Sequence, residues 1–201
     1  MNKIIIDKKD LKALKALDPI LSKHINETPV PTRYYAESFF ISVVETIIGQ
    51  LISTKSATTI YNRLEVLLGE VTVDNYIKAK EEDIIACGIY KKKYDQIYNI
   101  AKSIKSGILD FHELKLKSGD EVIKILTAYP GIGLWSAEMI LMHGLRHPDI
   151  LAFGDLGIRN GIKNVYGLAD LSKKDFLVIK KRLSPYGTLA SMYFWQAYAK
   201  E

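Results

Sequence analysis

A single cysteine, Cys87, stands among 201 residues. One thiol cannot build an internal disulfide framework, a cysteine-based zinc site or a four-cysteine iron–sulfur cluster. The plain expectation for it is a half-buried apolar side chain. Long hydrophobic runs are also missing, so no segment is expected to cross a bilayer and no membrane partner is expected. The opening Met1-Asn2-Lys3-Ile4-Ile5-Ile6 has neither a secretory apolar core nor a cleavage site. A cytoplasmic protein is expected. Alternating strand patterns are scarce, since the β-branched stretches at 3–6 and 70–73 are too short to build a sheet. Tryptophan occurs only twice, at Trp135 and Trp195.

What is present is apolar, basic and helical in period. Apolar residues make up 48%, which excludes a disordered chain. The net charge is +5, compatible with a polyanionic partner and spread along the chain rather than gathered in one block. Phe39, Phe40, Val43, Val44, Ile47, Ile48 and Leu51 recur at helical spacing. That helix is apolar around most of its circumference and should be central. A second helix starts at Ser53 or Thr54 and stops at Gly69. Further helices are expected over 73–79, 81–86, 92–106, 121–128, 134–144, 155–166, 173–183 and 187–200. The fold class is therefore all-α with short loops. No linker divides the chain cleanly; two lobes would pair the N- and C-terminal helices, residues 1–38 with 146–201, beside a middle segment, residues 39–145, that ends in a helical hairpin at about 121–145.

The segment from Tyr129 to Arg159 carries the chemistry. Tyr129-Pro130-Gly131-Ile132-Gly133 links two helical patterns. Glycine admits positive φ and lets another backbone come close, and Ile132 is placed to plug between the helices. The helix that follows offers unpaired N–H groups and a positive dipole end, which together suit an anion such as a DNA phosphate. The carbonyls of Tyr129 and Ile132 on the other side could hold a monovalent cation. The alternative is an ordinary turn between two helices. Gly154-Asp155 then opens another helix, where Asp155 alone reads as an N-cap.

Tyr129-Pro130-Gly131-Ile132-Gly133-Leu134-Trp135-Ser136-Ala137 resembles the helix–hairpin–helix of the HhH-GPD DNA glycosylases. Gly154-Asp155-Leu156-Gly157-Ile158-Arg159 resembles their catalytic-aspartate segment. Gly49-Gln50-Leu51-Ile52-Ser53, Gly88-Ile89-Tyr90-Lys91-Lys92-Lys93 and the 185–195 segment resemble three more of their motifs. The resemblance spans roughly residues 30–198 and is nearest to the 3-methyladenine DNA glycosylase II branch. It implies a two-lobed helical fold with the active site in the cleft between lobes. The implied reaction flips a damaged base out of double-stranded DNA and hydrolyses its N-glycosidic bond, by a monomer without a cofactor. Alkylated purines such as 3-methyladenine are the implied substrates, with deaminated purines as a further candidate. Oxidised guanine or mismatched bases, or non-catalytic DNA binding, are the alternatives.

The same resemblance assigns roles. Asp155 is the catalytic carboxylate that stabilises an oxocarbenium-like sugar. Trp135, Met139, Trp195 and Gln50 line the base pocket, where aromatic faces attract a cationic purine. Met139 and Leu156 stand where some members have tyrosine, which leaves the pocket less aromatic. Leu51 is the wedge that fills the vacated stack; the plain alternative is a core leucine. Gln50 could instead satisfy a buried backbone group. Gly131, Gly133, Ser136, Tyr90, Lys93 and Arg159 contact DNA, with Lys91 and Lys92 as further candidates, although a lysine triplet is commonly a solvated face. Arg159 has Asp155 as its other candidate partner. His143 and His147 read as structural or surface residues, and no catalytic metal is implied. Lyase-competent relatives place a nucleophilic lysine where this chain has Trp135. A monofunctional enzyme that leaves an abasic site is therefore expected.

Overall fold

Short polar side chains set the helix boundaries. In the computed structural model, which describes residues 2–199, nine of the thirteen helices are preceded by a residue whose side-chain oxygen takes up an orphan N–H of the first turn. Asp7 caps α1 (Lys8–Leu17) and Asp18 caps α2 (Pro19–Glu27). A two-residue strand β1 (Asn2–Lys3) pairs antiparallel with β2 (Tyr34–Tyr35), Lys3 opposite Tyr34. Ser38 caps α3 (Phe39–Gly49), Ser53 caps α4 (Thr54–Leu68) and Thr72 caps α5 (Val73–Lys78). Then come α6 (Glu81–Ala86), α7 (Lys91–Lys105) and α8 (Phe111–Lys115). Next are α9 (Gly119–Thr127), entered through a Ser118/Glu121 capping box, and α10 (Leu134–His143). The chain ends with α11 (Leu156–Tyr166), α12 (Lys173–Leu183) and α13 (Gly187–Tyr198).

Beyond the expected set, α1, α2 and α8 are found. The first two bear readable signals, Asp7 and Asp18 as caps, Pro19 in the first turn, and Leu11, Leu14, Leu21 and Ile25 at helical spacing. Helix α3 stops at Gly49, short of Leu51, and α11 begins one residue after Asp155. Lys200, the expected end of the last helix, lies outside the described residues.

The chain divides into two compact units, Met1–Tyr35 with Arg146–Glu201, and Ala36–Leu145. In the second unit Val43, Val44 and Ile47 of α3 are fully buried, as are Ile97 and Ala101 of α7 and Ile140 and Met142 of α10. Each large aliphatic side chain so removed from water contributes roughly 1.5–3 kcal/mol. Tyr76 is packed edge-on against Phe40 and stacked on Tyr94. Gly144 closes α10 against α3; a Cβ there would fall 2.1 Å from Ser42 Oγ.

In the first unit α11 lies along α13 at very close range. A Cβ on Gly161 would sit 1.9 Å from the carbonyl oxygen of Phe194. Asp18 is wholly buried there. It accepts hydrogen bonds from Leu21 N (2.8 Å), Tyr166 Oη (2.8 Å) and Arg182 Nη1 (2.7 Å). One carboxylate therefore ties α2 to α11 and α12, and its desolvation is offset by three donors. Burial and the neighbouring Asp18 carboxylate push the Tyr166 phenol well above its ordinary value.

Candidate functional site

Asp155 lies in the first unit, in extended backbone (φ −84°, ψ 117°) as the N-cap of α11. Its Oδ1 accepts Ile158 N at 2.8 Å. The same oxygen accepts the indole Nε1 of Trp195, on α13, at 2.9 Å. The half-buried carboxylate is thus oriented from its own helix and from the neighbouring one. Gly157 makes the second contact feasible. A Cβ at that position would meet Trp195 Cδ1 at 2.9 Å and Asp155 Oδ1 at 3.3 Å, so a side chain would drive the indole off the acid. Arg33 completes this corner with its guanidinium 5.7 Å from the Trp195 ring centroid, and burial lowers its pKa from the ordinary value. Arg159 lays its guanidinium over Phe153, 5.3 Å from the ring centroid. Leu156, beside the acid, is exposed.

The hairpin lies in the second unit. Ile132 N closes the turn on Tyr129 O at 3.1 Å. Its side chain is buried, the plug its spacing predicts. The two glycines differ. Gly131 has φ +85°, and a Cβ there would overlap Gln96 of α7 at 1.9 Å, so both conformation and packing demand glycine. Gly133 has φ −84° and ψ 176°, a conformation open to any residue, and a Cβ there would meet nothing within 4 Å. Positive φ is therefore needed at one of the pair only. Gly133 is the N-cap of α10 and supplies no side-chain cap, which leaves the first-turn N–H groups as an anion-facing end. Tyr129 O keeps a second lone pair beside its turn bond.

On α10, Trp135 is half-buried, and Met139, one turn further on, is buried. Ser136, expected at a phosphate, is buried too, and its Oγ accepts Gln50 Nε2 at 3.0 Å. That hydroxyl faces inward and braces the hairpin. Gln50 Nε2 also donates to Gly131 O at 2.9 Å, so Gln50 satisfies the backbone of the hairpin directly.

Leu51 is fully exposed at 104% of its reference area, with φ +60°. A core leucine is excluded. Among the lysines, Lys91 pairs with Glu81 (2.8 Å) and Asp95 (2.7 Å), as a solvated face would, and Lys92 is exposed. Lys93 turns inward, its Nζ donating to Ile48 O and Gln50 O, each at 2.8 Å. Burial lowers its pKa from the ordinary value. Tyr90 stands exposed immediately before α7. Cys87 is buried, and its thiol pKa is raised, chiefly by desolvation.

Gly157, Arg33 and Gln96 are contributors that pattern reading does not assign. Only Gly157 carries a signal, as a helix-interior glycine one turn before a second one, Gly161.

An all-α chain with a glycine hairpin capping one helix and an aspartate capping another has the make-up of a helix–hairpin–helix protein. The model of the HhH-GPD superfamily base excision DNA repair proteins matches residues 44–183, and the chain belongs to that superfamily. It is 33% identical to a solved DNA-3-methyladenine glycosidase from Bacillus halodurans, with a TM-score of 0.82 over 100% of this chain and 95% of that one. The Schizosaccharomyces pombe 3-methyladenine DNA glycosylase Mag1, solved in complex with abasic DNA, is 27% identical, with a TM-score of 0.80 over 94% and 96% of the two chains. The Saccharomyces cerevisiae DNA-3-methyladenine glycosylase is 30% identical over 91% of this chain and 66% of its own length. The chain spans between 65% and 70% of the length of three curated relatives. Among the described residues no helix is long and apolar enough to cross a membrane.

Proposed function

We propose that the chain is a monofunctional DNA glycosylase that releases alkylated purines, 3-methyladenine among them, from double-stranded DNA. The observation that carries this reading is the carboxylate of Asp155, fixed through Oδ1 by Ile158 N and Trp195 Nε1 within the segment that resembles the family's catalytic motif. A carboxylate held in that way stabilises positive charge on the sugar as the C1′–N bond breaks and its electron pair leaves with the base. Water then adds at C1′ and leaves an abasic site. The names of the Bacillus halodurans and yeast relatives support the substrate class.

Gly133 and the uncapped end of α10 take a backbone phosphate, Tyr90 and Arg159 add further DNA contacts, and Leu51 fills the stack. Trp135, Met139 and Trp195 face the flipped base, for which a cationic purine is the natural partner of indole. Trp135 also stands where lyase-competent members have lysine, so strand cleavage does not accompany base release. A monovalent cation on the hairpin carbonyls would add charge at the phosphate. The protein acts as a monomer.

Duplexes carrying 3-methyladenine, 7-methylguanine, hypoxanthine, ethenoadenine, 8-oxoguanine or uracil test the proposal. Released base is measured, and strand breaks are scored before and after alkali. Release of methylated purine with breaks only after alkali is expected. Breaks before alkali refute the monofunctional assignment, release of 8-oxoguanine alone moves the protein to another branch, and binding without release from any duplex reduces it to a binding module.

A further inference from the structure

The loop after α3 holds its leucine in an unfavourable place. Leu51 combines full exposure with φ +60°, a region that branched L residues rarely adopt. The chain's own turn bonds across this loop are long, Gln50 N to Ile47 O at 3.3 Å and Ile52 N to Gly49 O at 3.5 Å. A cavity of about 220 Å³ opens beside the flanking residues, lined by Ile48, Ile52, Ile60, Ile89 and Tyr90 together with Lys93. Full exposure of an apolar side chain is unfavourable in water, so Leu51 keeps this position only while the backbone on either side of it is held.

Two braces hold that backbone. The Gln50 side chain is tied to Gly131 O and Ser136 Oγ. From α7, Lys93 Nζ bridges Ile48 O and Gln50 O, the carbonyls on either side of the end of α3. A cation at the carbonyl end of a helix is favoured by the dipole and satisfies acceptors that no intrahelical N–H can reach. Its amine is drawn from solvent into this bridge, not presented to it.

We infer that Lys93 is a positioning residue for the wedge, an internal clamp that keeps Leu51 projecting, and not a phosphate contact. The inference rests on the wedge role given to Leu51 in the proposed function. It makes the outward position of Leu51 depend on the bridge from Lys93 to the carbonyls of Ile48 and Gln50.

Two readouts test it on Lys93→Met, with Lys93→Arg and Leu51→Ala alongside. Without DNA, hydrogen exchange of the 48–53 segment is expected to rise in Lys93→Met and to return toward wild type in Lys93→Arg, which restores a two-pronged donor. Base release is then compared on a fully paired duplex and on one with the damaged nucleotide opposite an abasic site, where flipping needs no wedge. On the paired duplex kcat/KM is expected to fall roughly 10–100-fold in Lys93→Met, with near wild-type rates on the unpaired lesion. Leu51→Ala should show the same split, and the double variant should be no worse than either single one. Unchanged exchange in Lys93→Met, equal losses on both duplexes or additive losses in the double variant would overturn the clamp. A wild-type protein that releases no base defeats the glycosylase reading, while the exchange measurement still decides the clamp.

Discussion

Asp155 sits at the start of α11 and Leu51 just past the end of α3, and the two helix boundaries are built differently. Around Asp155 the work is done by side chains meeting a side chain. The carboxylate caps its own helix, Trp195 donates to the same oxygen, and Gly157 is bare so that the indole fits. Around Leu51 and the hairpin, side chains hold backbone. Gln50 grips a glycine carbonyl and Lys93 grips two carbonyls at the end of α3. The first arrangement suits a group whose chemistry resides in one fixed oxygen pair. The second suits the role proposed for this surface, presenting main-chain N–H groups and an apolar wedge to DNA of any sequence, since phosphate contacts position without reading bases.

Four substitutions sharpen that contrast. The largest stability effect is expected for Asp18→Ala, which removes the buried anchor of the Asp155-bearing unit. A loss of about 3 kcal/mol, seen as a fall in Tm of roughly 6–12 °C, is expected in a thermal melt. Gly131→Ala should cost roughly 1–3 kcal/mol, because its φ is positive and its Cβ meets Gln96. Trp195→Phe keeps an aromatic side chain and deletes the indole donor. It should lower turnover roughly tenfold, about 1.4 kcal/mol, with little change in melting. Gly133→Ala is the mildest for folding, within about 0.5 kcal/mol, yet should weaken binding to an abasic duplex in a titration. If both hairpin glycines behave alike in melting and binding, the distinction between a glycine required by the fold and one required by the ligand is wrong.

Local signals carried most of the helical architecture and the outline of the site. Ser53 before α4, Gly69 after it, the hairpin glycines and the Asp155 cap are all set within a few residues, where capping and turn chemistry operate. Helices α1 and α2 carry the same kinds of signal, Asp7, Asp18 and Pro19 at their starts and apolar residues at helical spacing. The inward turn of Lys93 onto residues 48 and 50 was not legible, nor was Trp195 on Asp155, or Gln96 under Gly131. Each pairs residues more than 30 positions apart, and their spacing holds no trace of the contact. A lysine triplet likewise gives no sign of which member turns inward; burial of one stem and pairing of another decide that.

Asp155 is the residue on which the functional account turns. Asp155→Asn preserves the side-chain oxygen that caps α11 and accepts from Trp195 while removing the charge. Single-turnover release of 3-methyladenine from a duplex, measured beside affinity for an abasic duplex, is the direct test. The expected result is a fall in release of roughly 10²–10³-fold with affinity preserved. Release by the variant at the wild-type rate would contradict the assignment of Asp155 as the catalytic carboxylate.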